Sequence, residues 1–209
     1  MSPAEPTANP GQPGHQGIAS PPSGSTEPAA GWRPREPPLI AVDPAFVLDR
    51  WRPTDSASLR RMDLDPDTAR FFGYTVEQAE AKLDSHYDGD ERARGSLRAW
   101  HEGRELNLAI RRRSDGEAAG WVELRLAGNE AEVSYNVTAE LRGQGIGSRA
   151  LQAFLTWAAQ QIGLRRAYLT CHIGNLASRR VAEKCGFVPV GQQGEEYQFQ
   201  RELGPKRPI

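Results

Sequence analysis

Apolar and polar residues alternate with a period of two in six stretches of the chain, which is the pattern of a half-buried β-strand. These stretches are 46–51, 106–110, 122–126, 131–137, 166–173 and 196–203. Turn residues follow two of them, at 114–116 and 128–129, where each strand is expected to reverse into the next. The spacing therefore predicts an antiparallel meander of three strands, from 106 to 137, with further strands before and after it.

Two later segments change to helical spacing. In 148–162 the apolar residues recur every three or four positions, and Gly163 is placed to end that helix. A second helix is predicted after Asn175, which can cap its N-terminus, and Gly186 is placed to end it. Its buried face is expected to hold Ala177, Val181 and Cys185. The whole pattern predicts an α/β fold with a mixed sheet, in which the meander is followed by helix, strand, helix and strand.

Three shorter helices are predicted ahead of the meander. Residues 54–56 can cap the first, which would bury Leu59 and Met62. The second opens at 65–67, where proline is tolerated in the first turn, and the third covers 91–100.

Composition divides the chain into three parts. Residues 1–38 hold ten of the 16 prolines, mixed with Gly, Ser and Ala, and this predicts a disordered tail that has almost nothing apolar to bury. Residues 39–203 are expected to form one domain of ordinary size, followed by a short C-terminal tail at 204–209.

Charge and cysteine content argue against several protein classes. The formal net charge of −1 gives no general attraction to nucleic acid or to an anionic membrane. No apolar run approaches the ~20 residues of a membrane span, and the N-terminus lacks the pattern of a signal peptide, so we expect a cytoplasmic protein. Cys171 and Cys185 lie on predicted apolar faces and are expected to be buried free thiols, and no metal site is predicted.

The most informative segment is the glycine-rich turn between a predicted strand and a predicted helix. It consists of Arg142, Gly143, Gln144, Gly145, Ile146, Gly147 and Ser148. A helix start carries unpaired N–H groups and partial positive charge, and glycine lets the backbone approach a ligand closely. A phosphate or pyrophosphate cradle is therefore predicted, with Arg142 as a permanent cation at its edge. The P-loop and dinucleotide patterns do not fit, because Ser148 stands where they require Lys or Gly.

Two segments carry a resemblance to a known family. Arg142, Gly145 and Gly147 form an Arg-x-x-Gly-x-Gly sequence that resembles the pyrophosphate loop of the GCN5-related N-acetyltransferases, the GNAT family. Residues 175–187 resemble the Asn-x-x-Ser/Ala … Gly-Phe segment of the same family. Two such segments in the right order are more specific than either alone. Residues 52–55 and 65–70 resemble in particular the branch that includes bacterial ribosomal-protein N-terminal acetyltransferases.

The resemblance implies an acyl-CoA N-acyltransferase fold that binds acetyl-CoA as co-substrate and passes its acetyl group directly to a primary amine. The implied cofactor-binding residues are Asn136, Val137, Arg142, Gly143, Gln144, Gly145, Ile146, Gly147, Ser148, Asn175 and Ser178. In this family a backbone N–H of the strand before the loop faces the thioester and would stabilise the oxyanion. Here that donor would be the amide of Asn136 or of Val137.

The catalytic residues are predicted less sharply. Only a neutral amine attacks a thioester, so a carboxylate that takes the amine proton is useful, and Glu132 and Glu123 are the candidates. Either could instead lie on a solvated strand face, and Glu123 could pair with Arg125. Many family members carry a Tyr on the second helix that protonates the departing thiolate, but Ala182 stands at that position. Ser178 could donate to the thiolate in its place, or could serve only to cap the helix.

The acceptor is the least defined partner. The resemblance allows a ribosomal-protein N-terminus or a small cationic amine. Nine acidic residues in 63–91 would attract a cation, although helix caps on a solvated surface are the favoured explanation for them. A non-catalytic acyl-CoA-binding regulatory domain is the main alternative function, and an unrelated nucleotide-binding domain is another. Both a monomer and a homodimer fit the sequence.

Overall fold

The computed structural model of the protein describes residues 36–86 and 89–204, with the backbone alone at 82–86 and 89. The predicted tails at 1–38 and 204–209 lie almost entirely outside the described residues, so their disorder stays a prediction. In the described part, no helix is long and apolar enough to cross a membrane, and no group of three His, Cys, Asp or Glu side chains could hold a metal ion.

Strands and helices alternate in the predicted order over most of the described chain. The strands are β1 (Ile40–Ala41), β2 (Phe46–Asp49), β3 (Glu105–Arg112), β4 (Ala118–Ala127), β5 (Glu130–Val137), β6 (Arg166–His172), β7 (Val188–Gln193) and β8 (Glu196–Glu202). The helices are α1 (Ser56–Asp63), α2 (Pro66–Phe71), α3 (Val76–His86), α4 (Gly89–His101), α5 (Ile146–Gln161) and α6 (Leu176–Lys184).

The eight described strands form one mixed sheet in the order β1-β2-β3-β4-β5-β6-β8-β7. Neighbouring strands are antiparallel except for β5 and β6, which run parallel because α5 carries the chain across the sheet between them. The predicted meander is β3-β4-β5, and its register places Val122 opposite Tyr135. The predicted fold class, a mixed α/β sheet with a meander followed by helix, strand, helix and strand, is confirmed.

Helices cover both faces of the sheet. On one face α5 buries Leu151, Phe154 and Leu155 against apolar side chains from β3, β4 and β5. On the other face α1, with Leu59 and Met62, packs in a second apolar cluster with Trp51, Ala109, Ala118 and Trp121. The sheet is therefore the middle layer, and any site at its edge or at a gap between strands is reached by residues from both faces.

Several local features differ from the sequence prediction. Helix α3 and strands β1 and β7 were not predicted. Strand β7 contains Pro189 and Gly191 and is exposed along its whole length, so it has no apolar alternation to detect. Residues 54–56 were expected to cap α1, but Asp55, which occupies the cap position, makes no capping bond with its side chain. Its carboxylate instead forms a buried pair with Arg111 (2.8 Å) and accepts the N–H of Arg52 (2.8 Å), so it ties the start of α1 to β3.

Candidate active site

A gap in the middle of the sheet opens into a cavity. Strands β5 and β6 pair only from Glu130 to Glu132, and beyond Glu132 they separate. The gap opens into a cavity of about 390 Å³ that is lined by β5, β6, the start of α5 and α6. Parallel strands that part at their C-terminal ends no longer pair with each other, so backbone N–H and C=O groups of β5 and β6 can face the cavity.

The glycine-rich loop closes one end of this cavity. Gly143 and Gly145 both adopt left-handed backbone angles, with φ of +77° and +73°, which glycine alone adopts without strain. Gly145 is the N-cap of α5, and its carbonyl accepts the N–H of Arg149 (3.1 Å). The N–H groups ahead of Arg149 belong to the first turn, where a helix offers them no partner. This geometry matches the predicted anion cradle.

Six of the seven predicted loop residues line the cavity, and Gln144 does not. The side chain of Gln144 donates to the carbonyl of Glu140 (3.2 Å), and its own carbonyl accepts from Arg149 (2.9 Å). The Ser148 hydroxyl donates back to the Gly145 carbonyl (2.9 Å), which leaves the Ser148 side chain committed to the turn itself. Gln144 therefore shapes the loop from outside the cavity.

Arg142 lines the cavity but is held by α2. Its guanidinium bonds to the Asp65 carboxylate (2.6 Å), the Thr68 hydroxyl (2.9 Å) and the Val137 carbonyl (3.1 Å). Burial opposes the ionisation of Asp65, but the bonds from Arg142 and Thr68 outweigh it and lower its pKa. Because an ionised carboxylate already pairs with Arg142, this arginine joins α2 to the loop and has less charge to offer a phosphate than a free cation would.

Two other cations, which the sequence analysis did not select, face the same cavity. Arg180 and Lys184 lie four residues apart on α6 and both line it. Residues at that spacing share one face of a helix, so the signal was present in the sequence once α6 was known to border the loop.

The backbone of β5 distinguishes the two candidate oxyanion donors. The N–H of Thr138 donates to Ala119 on β4 (3.0 Å). Backbone N–H groups alternate in direction along a strand, so the Asn136 amide also faces β4 and the Val137 amide faces the gap toward β6. The Asn136 side chain lies 3.3 Å from the Thr68 hydroxyl, on the face covered by α2.

Glu132 is the predicted base that reaches the cavity. It is the last β5 residue paired with β6, its side chain is 15% exposed, and it lies 3.5 Å from Arg125. It occupies the face of the sheet that carries Asn136, opposite the face that carries Tyr135. A carboxylate at the start of the strand gap can approach a group that enters the gap.

Glu123, the other predicted base, is fully buried and does not line the cavity. Its carboxylate accepts from the side-chain amide of Asn107 (2.6 Å) and from Arg125 (3.1 Å), so the expected pair with Arg125 is present. Glu105 lies against it, and burial, together with the charge of Glu123, raises the pKa of Glu105 to about 7. Glu105, which is partly buried, and the fully buried Glu123 therefore form a carboxyl pair.

This pair predicts a fall in stability as pH rises. Since the pKa of Glu105 is about 7 when folded and its ordinary value is 4.5, the folded state holds an extra proton between these values. The free energy of unfolding should therefore decrease over that range, and Glu105→Gln should flatten the decrease. Urea denaturation at several pH values measures this. Glu102→Gln, at an exposed carboxylate paired with Arg104, is the control and should leave the pH dependence of the unfolding free energy unchanged. If Glu105→Gln also had the pH dependence of the unaltered protein, Glu105 and Glu123 would hold no extra proton.

The N-terminus of α6 brings Ser178 into the cavity. Asn175 caps the helix as predicted, since its side chain accepts the N–H of Ser178 (3.0 Å). The Ser178 side chain is not used for capping, because its hydroxyl accepts a hydrogen bond from the phenol of Tyr135 (2.9 Å). Tyr135 also lines the cavity, and burial raises its pKa. By its place in the alternation of β5, Tyr135 is a core residue, and the sequence gives no sign of this polar contact.

The buried face of α6 differs from the predicted one. Ala177 is exposed at the cavity, and Ala182 and Cys185 are the buried residues, with Val181 partly buried. The expectation for Ala177 was wrong because the first turn of α6 borders the open cavity and not the core. Cys171 and Cys185 are both free and buried, as predicted, and burial raises the pKa of each thiol.

Comparisons with known proteins agree with this architecture. Residues 46–188 match the family model described as Acetyltransferase (GNAT) domain. A segment of 81 residues is 31% identical to YdaF of Bacillus subtilis (strain 168), a candidate ribosomal N-acetyltransferase, and covers 37% of this chain and 44% of that protein. A segment of 61 residues is 41% identical to the ribosomal-protein-serine acetyltransferase of Escherichia coli (strain K12). It covers 29% of this chain and 34% of that protein. The aligned segments thus span less than half of each curated relative.

A solved structure shows the same fold over a longer range. RimL, described as a ribosomal L7/L12 alpha-N-protein acetyltransferase in complex with coenzyme A, superposes with a TM-score of 0.63 at 19% identity. The superposition covers 79% of this chain and 98% of that one. In that structure the coenzyme is joined by a disulfide to a cysteine. The family match covers well over half of the chain, and the resemblance found in the loop and in 175–187 is confirmed: this chain belongs to the GNAT family of acetyltransferases.

Proposed function

We propose that this protein is an N-acetyltransferase that moves the acetyl group of acetyl-CoA to a primary amine by direct attack. The observation that carries the proposal is the gap between β5 and β6. It ends at the glycine-rich cradle, and Glu132 and Ser178 reach it from different sides. One site thus combines an anion cradle, a free backbone donor, a carboxylate and a hydroxyl, which are the groups that acyl transfer to an amine uses.

The cofactor would lie along the gap with its pyrophosphate on the loop. The amides between Gly143 and Ser148 would donate to the phosphate oxygens, helped by the partial positive charge of the α5 N-terminus. Arg180 and Lys184 line the same cavity and would balance the remaining phosphate charge, which Arg142, already paired with Asp65, balances less well. Asn175 would contribute by holding the first turn of α6 in place.

The reaction would use residues from both faces of the sheet. Glu132 takes a proton from the amine, whose nitrogen then bonds to the thioester carbon, and the resulting oxyanion accepts from the Val137 amide. When the C–S bond breaks, its electron pair goes to sulfur, and the thiolate accepts a hydrogen bond from Ser178. The proton held by Glu132 is released to solvent, and the proton that the nitrogen loses as the amide forms passes to the thiolate, so the products are an acetylated amine, coenzyme A and one proton. Glu123 is a poor candidate for the base because it is enclosed.

The proposed acceptor is a protein N-terminus, such as that of a ribosomal protein, or a small cationic amine. The names of the curated relatives and of RimL support the first choice. Three acidic side chains that line the cavity, Asp67, Glu132 and Glu196, would attract the positive charge of either acceptor. We also propose that the protein acts in the bacterial cytoplasm, since both curated relatives come from bacteria.

A thiol-release assay tests the proposal directly. Acetyl-CoA is incubated with the protein and with peptides of varied N-terminal residue, aminoglycosides and polyamines, and free coenzyme A is followed with time. Faster thiol release with one amine class, together with mass-spectrometric detection of the acetylated product, supports the enzyme. Tight acetyl-CoA binding without turnover of any amine would instead support the non-catalytic acyl-CoA-binding domain. Displacement by ATP or NAD as readily as by coenzyme A would contradict both.

A further inference from the structure

The hydroxyl of Ser178 sits between two groups that fix its direction. The phenol of Tyr135 lies 2.9 Å away and donates to it. A phenol is far more acidic than an aliphatic alcohol, so Tyr135 is the better donor of the two and Ser178 is the acceptor. The hydrogen of Ser178 must then point elsewhere, and here it meets the sulfur of Cys171, since a hydrogen bond from Ser178 opposes the rise in pKa that burial causes at that thiol. A neutral thiol is a weak acceptor, so a thiolate that forms in the cavity would take this hydrogen bond from Cys171.

The ring of Tyr135 is held firmly in this position. A Cβ on Gly147, in the first turn of α5, would stand 3.4 Å from the Val137 side chain and 3.6 Å from the Tyr135 ring, so the first turn of α5 lies directly against the ring. The ring is packed against the main apolar core, and only its hydroxyl reaches a polar partner. Burial keeps the phenol protonated, so it acts as a hydrogen-bond donor at all ordinary pH values.

We propose that Tyr135 is a positioning residue that directs the hydroxyl hydrogen of Ser178 at the coenzyme A sulfur, so that the departing thiolate is stabilised. This inference rests on the proposed function and adds a role to it. Ala182, where a tyrosine is common in the family, is fully buried and carries no polar group. Here a tyrosine from β5 reaches the α6 N-terminus from another part of the chain and supports the serine. No proton leaves Tyr135; the thiolate is stabilised by a hydrogen bond whose direction Tyr135 sets.

The first test separates turnover from binding. Tyr135→Phe keeps the ring and removes the hydroxyl. We expect kcat to fall on the order of 10-fold, which corresponds to the loss of one neutral hydrogen bond, while KM for acetyl-CoA stays unchanged. In a Ser178→Ala background the same change should have no further effect, because Tyr135 acts through Ser178. Tyr74→Phe, which removes a partly buried phenol bonded to the Asp63 carbonyl outside the cavity, is the control and should leave kcat unchanged.

The second test needs no acceptor amine. The complex of the protein with coenzyme A is titrated with alkali, and the thiolate is followed by its ultraviolet absorbance after the absorbance of the protein alone is subtracted. A donor at the sulfur favours the charged form, so the pKa of the bound thiol should be lower than in Tyr135→Phe by about one unit. The proposal would be overturned if the bound thiol had the same pKa in the unaltered protein and in Tyr135→Phe. It would also be overturned if Tyr135→Phe lowered kcat as much in the Ser178→Ala background as in the unaltered protein. Failure of the proposed function is a different result, namely no acetylated amine from the unaltered protein.

Discussion

Gly145→Val is expected to abolish measurable acetyl-CoA binding by a protein that remains folded. Gly145 has a φ of +73°, and a Cβ at this position would stand 3.0 Å from the Arg149 guanidinium. A β-branched residue does not adopt this backbone angle without strain, so the loop must turn its amides away from the cavity. Losing two charge-assisted hydrogen bonds to the pyrophosphate weakens binding on the order of 100-fold or more. Isothermal calorimetry measures the affinity, and circular dichroism monitors the fold.

A matched glycine separates backbone strain from loss of the cradle. Gly163 follows α5, has a φ of +69°, and has open space where a Cβ would be. Gly163→Val should cost stability on the order of 1–3 kcal/mol, comparable to Gly145→Val, because both place a branched residue at a left-handed backbone angle. Only the Gly145 variant should lose the cofactor. Unchanged affinity in a folded Gly145→Val protein would show that the loop does not bind acetyl-CoA, and equal losses in both variants would show a general effect of instability.

Short-range patterns in the sequence account for most of the fold. The strands that build the site are predicted by a period of two, and α5 by a period near 3.6, because each buries one continuous apolar face. The caps at Asp65 and Asn175 are also predictable, since a capping side chain bonds within its own turn. Strand β7 could not be predicted in this way, because an exposed segment needs no apolar period.

The parts of the site that could not be predicted depend on contacts between distant segments. Tyr135 alternates correctly as a core residue, and nothing near it in the sequence indicates that its hydroxyl meets Ser178 on α6. Arg142 resembles a free phosphate-binding cation until α2 places Asp65 beside it. Glu123 and Glu132 are equivalent by spacing, and only the helices over the sheet enclose the first and leave the second at the cavity. Local sequence patterns carry no information about such long-range contacts.

Glu132→Gln should cut the rate of acetyl transfer on the order of 10² to 10⁴-fold, the usual contribution of a general base. The lost interaction is with the proton of the amine, so calorimetry should show unchanged acetyl-CoA affinity, and more acetyl-CoA should not restore the rate. Glu130→Gln is the matched control, because Glu130 lies two residues away on the same strand, pairs with Arg166 (2.7 Å) and does not line the cavity. Its rate should stay close to that of the unaltered protein.

The pH dependence of the Glu132→Gln variant identifies what the carboxylate does. Amines near pKa 8 to 10 arrive mostly protonated, so raising the pH supplies the neutral form directly and should partly restore the variant. A rate loss that no pH relieves would mean that Glu132 only holds the acceptor in place. If Glu132→Gln is silent and Glu123→Gln shows the rate loss with recovery at high pH, the base is Glu123. If neither change slows transfer, catalysis depends on the neutral fraction of the amine and on its position against the Val137 amide, which the gap between β5 and β6 leaves free.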